Sequence, residues 1–231
     1  MRDYVTIVRK VLQREGPVSH AGRAISLPAC DPEGLGYGKP LKSIMHTNLD
    51  IPILLGTGGQ AMVTLTAEIA DGWLPLGFVP GSLSIYRPWL EEGFRRAGNS
   101  KGFHDFHIQG GCQVDRDPDV AAALDRLRPF VAYYVGGMGH PKLNFHKETM
   151  VRRGYAEAAQ RIQELFLAGR RDEAARAVPD EYVDDGALLG PPARIRERFR
   201  RWCEAGVQGL TLYNADDEAV RLIAEINHEL G

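Results

Sequence analysis

Apolar positions along this chain fall into two spacings, recurrences every three or four residues and short unbroken runs, and the two alternate. Tyr4, Val5, Ile7, Val8, Val11 and Leu12 stand at helical spacing among Arg, Asp, Lys and Gln, which predicts an amphipathic helix over residues 2–15. Proline and glycine crowd residues 28–43 and predict a loop. Ile51 to Leu55, following Asp50, is a short apolar run and predicts a buried strand. Met62, Leu65 and Ile69 then recur at helical spacing between Ala61 and Ala70. Asp71-Gly72 stops that helix before a second run, Trp73 to Leu76.

Tyr86, Trp89, Leu90 and Phe94 form the apolar stripe of a helix over about 84–97, with Gly98 as its C-terminal stop. A third strand is predicted from Phe103 to Val114, interrupted at Gly110-Gly111. Asp117-Pro118 has the form of a helix start, a capping residue and then Pro at the first helical position. That helix is expected to kink near Pro129 and to end at Gly136-Gly137. A long helical stretch follows from about Glu148 to Ala177, divided at Gly169, and then a brief apolar run, Ala187 to Leu189. A helix from Pro191-Pro192 to Ala205-Gly206, a strand at Gly209 to Tyr213 and a closing helix from Asp216 to Leu230 complete the pattern.

Short apolar strands alternating with helices predict βαβ units and a parallel sheet, hence an α/β fold. Four strands stand out, near Ile51, Trp73, Phe106 and Leu210. A closed barrel of this kind needs eight, so the pattern suits a small open sheet or part of something larger. With 231 residues and 44% hydrophobic content the chain can bury a sizeable core. Its formal net charge of -2 carries no basic footprint for nucleic acid. Cys30, Cys112 and Cys203 are scattered and form no CxxC pair, so neither a disulfide framework nor a zinc site is indicated. No run of 18 apolar residues occurs and the start lacks a signal peptide's apolar segment. The expectation is a reduced, cytoplasmic protein without a membrane partner.

The most specific chemistry lies at Gly56-Thr57-Gly58-Gly59-Gln60-Ala61, where a strand hands over to a helix. Glycines there let backbone N–H groups approach an anion, and the helix N-terminus adds partial positive charge. The pattern also matches a loose G-x-G-x-x-A dinucleotide fingerprint. However, the next strand runs into Leu76-Gly77-Phe78-Val79-Pro80 with no acid to hold a ribose. Gln60 and Ala61 likewise stand where a phosphate loop would need Lys and Ser. A merely tight turn with no ligand is the other reading.

The histidines argue against a metal. His104 and His107 are three apart on a predicted strand and so point to opposite faces, which makes them packing or surface residues. His140 and His146 flank the loop GGMGHPKLNFH, where His140 is a candidate for a substrate role and a plain helix terminus and turn is the alternative. Arg194, Arg196, Arg198, Arg200 and Arg201, on a helix turning Ile195, Phe199 and Trp202 inward, read as a solvated face. Tyr86, Trp89 and Phe94 read as core.

The stretch IPILLGTGGQAMVTLTAEIADGWLPL (51–76) resembles the fifth-strand region of the luciferase-like monooxygenase family, particularly its coenzyme F420-dependent branch. YVGGMG (134–139), the opening MRDYVTIVRKVLQREGPVSHAGRAISLP and the stretch from AGRRDEAARAVP to GVQGLTLY (168–213) are similar to it as well, so the resemblance covers essentially the whole chain. It implies a (β/α)8 TIM barrel, of which this chain would retain roughly strands 5–8 and their helices as one domain over 1–231, the front half being absent. Met1 to Tyr4 would then correspond to the helix after the family's fourth strand. The absent part would carry a cis peptide and contacts under the cofactor ring. Exposed sheet edges and an apolar inner face would favour pairing with the missing half or with a second copy.

The resemblance further implies a small organic substrate and a bound deazaflavin, coenzyme F420, with FMN and molecular oxygen as the alternative. Gly56, Thr57, Gly58 and Gly59 would give backbone contacts to the cofactor phosphate and side arm. Ala61 and Met62 would offer the first helical N–H groups, and Gln60, where relatives have Pro, a further donor. The pocket is expected at the C-terminal strand ends, near Gly56, Leu76, Val114 and Tyr213. A non-catalytic half-barrel that only binds or dimerises is the third reading.

Overall fold

The computed structural model describes residues 1–29, 38–98 and 100–230. Cys30 and the 30–37 part of the predicted loop lie outside them. Helix α1 (Arg2–Gln13) precedes a short antiparallel ladder of β1 (His20–Ala21) and β2 (Ser26–Leu27). Then come β3 (Leu54–Thr57), α2 (Gln60–Ile69), β4 (Gly72–Pro75), α3 (Leu83–Ala97) and β5 (His107–Asp115). A helical block follows: α4 (Val120–Gly137), α5 (Phe145–Arg152), α6 (Ala156–Leu167), α7 (Arg171–Arg176) and α8 (Asp180–Asp185). β6 (Ala187–Leu189), α9 (Pro192–Cys203), β7 (Gly209–Tyr213) and α10 (Asp217–Leu230) close the chain.

β3 through β7 form one parallel sheet of five strands, in which β4 pairs β3 and β5, and β5 also pairs β6 and β7. The fifth strand is the brief run at Ala187–Leu189, all three residues of which are buried. The predicted interruption at Gly110-Gly111 does not occur. β5 runs unbroken through both glycines, because Gly110 admits the Trp202 ring, which a Cβ there would meet at 3.0 Å.

Alternation along the strands separates two faces. Ile108, Cys112 and Val114 of β5 pack with Trp73 against α2, α3, α9 and α10, in a core that takes in Tyr86, Leu90, Phe94, Ile195, Phe199 and Trp202. A second cluster joins α4, α5, α6, α7 and α8 around Ala132, Val135, Met150, Ile162 and Leu189. The opposite sheet face carries His107, Gln109 and Gln113 with Thr211 and Tyr213, so the expected apolar inner face is replaced by a largely polar one.

Several boundaries differ from the pattern-based ones for local reasons. β3 sits at 54–57 instead of 51–55, because Ile53 is taken up by Asp71: the Ile53 amide donates to Asp71 Oδ2 (2.7 Å) and the Ile53 carbonyl accepts from the Asp71 amide (2.9 Å). Arg9 of α1 closes the same knot with two bonds to the Asp71 carboxylate (2.8 and 2.7 Å). At Gly72 a Cβ would come within 2.5 Å of the His107 carbonyl, so the Asp-Gly pair ties α1, β3, β4 and β5 at one corner. The α4 cap is Asp119, which accepts from the Ala122 amide (3.0 Å), while Asp117 caps the turn before it by accepting from the Asp119 amide (2.9 Å). The stretch 148–177 breaks at Gly154 as well as Gly169, both in left-handed conformation. The arginines of α9 are more than a solvated face. Arg194 donates to the Leu189 carbonyl (2.7 Å) and with Arg198 grips Asp184, so the two join α9 to α8 and β6.

Candidate functional site

The glycine turn is held from behind. Thr57 is buried, and its hydroxyl lies 2.9 Å from Thr66 Oγ1. The Thr66 hydroxyl donates to the Met62 carbonyl (2.8 Å), so Thr57 is the donor of the bond between them. The Thr57 carbonyl accepts from Nε1 of the fully buried Trp73 at 2.8 Å. Hydroxyl and carbonyl of this residue are therefore spent on fixing the turn.

In front, the turn is open. Gly59 is the N-cap of α2, in extended conformation (φ −89°, ψ 153°). Its carbonyl accepts from the Met62 and Val63 amides (3.0 and 2.9 Å), so Met62's N–H is already committed. The Gln60 and Ala61 amides have no acceptor among the described residues, and both residues are exposed. They are unpaired donors where the helix dipole is positive. None of Gly56, Gly58 and Gly59 has positive φ. A Cβ on Gly59 would meet nothing within 4 Å, one on Gly56 only the Leu74 carbonyl at 4.0 Å, and one on Gly58 only the Leu76 side chain at 3.7 Å. Neither backbone conformation nor packing requires glycine at these positions.

Arg152, at the end of α5, reaches the same turn. Its Nη2 donates to Thr149 Oγ1 (3.0 Å) and weakly to the Gly58 carbonyl (3.4 Å), and its guanidinium lies 5.8 Å from the Trp89 ring centre. No carboxylate among the described residues pairs with it, and its buried Nε has no acceptor. A guanidinium with a buried unsatisfied donor beside open backbone amides is an electrostatic arrangement suited to an anion.

Beside the turn, beyond Leu76, a cavity of about 540 Å³ opens at the C-terminal ends of β4, β5 and β7, under α4 and α5. Leu76 and Tyr213 line it as expected from the sequence. Gly56 does not, and Val114, at a position of β5 that alternation turns away, is buried against the helix layer. The cavity's helix side is aromatic and apolar, with Phe130, Val131 and Tyr134; its sheet side carries Gln109, Gln113 and Thr211. His146 also lines it, its ring edge-on to Tyr134 at 4.4 Å, and burial holds its pKa below the ordinary imidazole value.

Among the other candidates, His140 is exposed and outside the cavity, its Nδ1 accepting from the Lys142 amide at 3.2 Å. His104 stands on a short 3-10 turn beside Asp105 (2.7 Å), and His107, which opens β5, bonds Gln109 across 2.8 Å. Tyr86, Trp89 and Phe94 are packed in or against the core, as their spacing indicated. Burial pushes the Cys112 thiol up to about 12, which keeps it protonated. Arg152 and His146 escaped sequence reasoning as site residues, since neither belongs to a motif and both reach their places through the packing of α5.

No helix among the described residues is long and apolar enough to cross a membrane. The fold is shared with the coenzyme F420-dependent tetrahydromethanopterin reductase of Methanopyrus kandleri, at a TM-score of 0.71 and 22% identity over 96% of this chain and 60% of that one. "Putative coenzyme F420-dependent oxidoreductase Rv3520c" of Mycobacterium tuberculosis (strain ATCC 25618 / H37Rv) is 42% identical over 226 residues, covering 97% of this chain and 65% of that protein. The 5,10-methylenetetrahydromethanopterin reductase of Archaeoglobus fulgidus is 27% identical over 157 residues, 68% of this chain and 46% of that protein. The chain thus spans less than two thirds of the length of these proteins. The family model described as luciferase-like monooxygenase matches residues 1–209, and the chain belongs to that family.

Proposed function

We propose that this chain is an F420-dependent oxidoreductase of the luciferase-like family, acting on a small organic substrate, and that its parallel sheet is part of a (β/α)8 barrel. The observation that carries the reading is the turn at 58–61. Two glycines that the protein does not need for itself leave open space beside two unpaired amides, with the buried, unsatisfied Nε of Arg152 close by. This arrangement suits the phosphate of a cofactor side arm. A bound deazaflavin would supply a ring carbon that takes or gives a hydride. The residues of this chain would do the rest: Gly58, Gly59, Gln60 and Ala61 grip the phosphate through main chain, Thr57 and Trp73 keep the turn in shape, and Arg152 balances the charge. F420 is favoured over FMN because the relatives named above carry F420 in their names.

Titration of the purified chain with F420 and with FMN, followed by fluorescence, tests this. F420 is expected to bind in the micromolar range and more tightly than FMN. Arg152→Leu should weaken F420 binding several-fold and flatten its dependence on salt. Tighter binding of FMN would move the chain to the oxygen-using branch. Binding of neither would leave the non-catalytic reading.

A further inference from the structure

We propose that the cavity beside the turn selects an uncharged, largely apolar molecule bearing one neutral oxygen, a ketone, aldehyde or alcohol with about the bulk of a fused two-ring system. This rests on the reading of the chain as an oxidoreductase and adds the class of its substrate. The volume of about 540 Å³ is within the ordinary range for small-molecule sites.

The argument begins with charge. No Asp, Glu or Lys lines the cavity among the described residues; Arg153 and His146 are its ionisable bases. Arg153 is already committed. It donates to the Tyr182 carbonyl (2.9 Å), lies 3.9 Å from the Tyr182 ring centre and stands 3.7 Å from the Asp185 carboxylate, its side chain only 8% exposed. His146 is kept neutral by burial, and its ring nitrogens have no partner among the described residues. An anionic or cationic substrate would shed its hydration here without finding a counter-charge, which is strongly unfavourable.

Neutral hydrogen bonding is available instead. Gln113 Oε1 accepts from Asn214 Nδ2 (2.7 Å), which leaves the Gln113 amide nitrogen free to donate. Thr211 Oγ1 accepts from Gln109 Nε2 (3.0 Å), which leaves its hydroxyl hydrogen free as well. The register pairs Gly111 with Thr211 and Gln113 with Tyr213, so the two free donors are diagonal neighbours on one sheet face. Opposite them stand Phe130, Val131 and Tyr134. A flat apolar body between the helix wall and the sheet, with its oxygen toward Gln113 and Thr211, satisfies every group named.

A matched pair of probes tests the inference on the full chain by calorimetry: 2-acetonaphthone, a neutral ketone, and 2-naphthoate, its anionic counterpart of similar shape. The ketone is expected to bind at least tenfold more tightly. Leu74→Trp, at a half-exposed position of the cavity wall, should weaken the ketone at least tenfold while leaving the melting temperature in place. Thr211→Lys, at an exposed position, should raise naphthoate affinity about tenfold and erase the preference. Equal or tighter binding of naphthoate to the parent chain, no ketone binding at millimolar concentration, ketone binding indifferent to Leu74→Trp, or naphthoate affinity unmoved by Thr211→Lys would each overturn it. F420 titrated in parallel keeps the two readings apart. F420 binding without discrimination between the probes removes this inference alone; discrimination without F420 binding removes the oxidoreductase reading and leaves the cavity's selectivity standing.

Discussion

The β3–α2 turn and the α4–α6 contact both carry paired glycines, and for opposite reasons. In α4, a Cβ on Gly136 or Gly137 would run into the Phe166 side chain of α6, so the missing atoms are already replaced by protein. At Gly58 and Gly59 the same construction finds open space or ordinary contact. Glycine in a sequence says that something must come close to the main chain. Only the structure says whether that something is another part of the fold. By this test Gly136 belongs to packing, whereas Gly58 and Gly59 are left over once packing and backbone conformation have been accounted for.

The largest expected effect comes from breaking the packed pair. Gly136→Val should destabilise the chain by about 3 kcal/mol through overpacking, read as a fall in melting temperature, and Phe166→Ala in the same chain should return part of that loss. The open pair should behave in the reverse way. Gly58→Val is expected to hold stability within about 0.5 kcal/mol of the parent while lowering F420 affinity tenfold or more, a loss of about 1.4 kcal/mol in binding. If Gly58→Val melted the protein as Gly136→Val does, the distinction between the two regions would fail.

A smaller effect sharpens the picture of the cavity. Burial lowers the His146 pKa from its ordinary 6.5. The unfolded chain therefore takes up a proton first as pH falls, and in that window the unfolded state binds more protons than the folded one. Stability should drop as pH goes from about 6.5 down to the depressed folded value and level off below it. His146→Gln should remove that increment from the melting temperature measured against pH; an unchanged profile would mean that the imidazole does not face a dry cavity.

Much of the fold was legible because long amphipathic segments announce their period. Ile195, Phe199 and Trp202 turn inward as spaced, and Gly98 ends α3 in left-handed conformation as a C-terminal glycine should. What was misread depended on partners remote in sequence. Gly110-Gly111 looked like a break because Trp202, some ninety residues away, was not yet beside it. β6 is three residues long and owes its place to pairing with β5. The polar inner face was hidden for another reason: His107, Gln109 and Gln113 alternate with Ile108, Cys112 and Val114, but reading the strand as a fully buried run suppressed its period of two. The turn itself could be found from its glycines. Arg152 could not, since nothing in VRRG marks one arginine for Gly58 and the next for Tyr182.

The clamp on Thr57 has a consequence for how a ligand is captured. With its hydroxyl on Thr66 and its carbonyl on Trp73, the turn has little freedom left to surrender when an anion arrives. Docking should then carry a small ordering penalty and follow single-exponential kinetics, its observed rate climbing in direct proportion to ligand concentration with no slow rearrangement behind it.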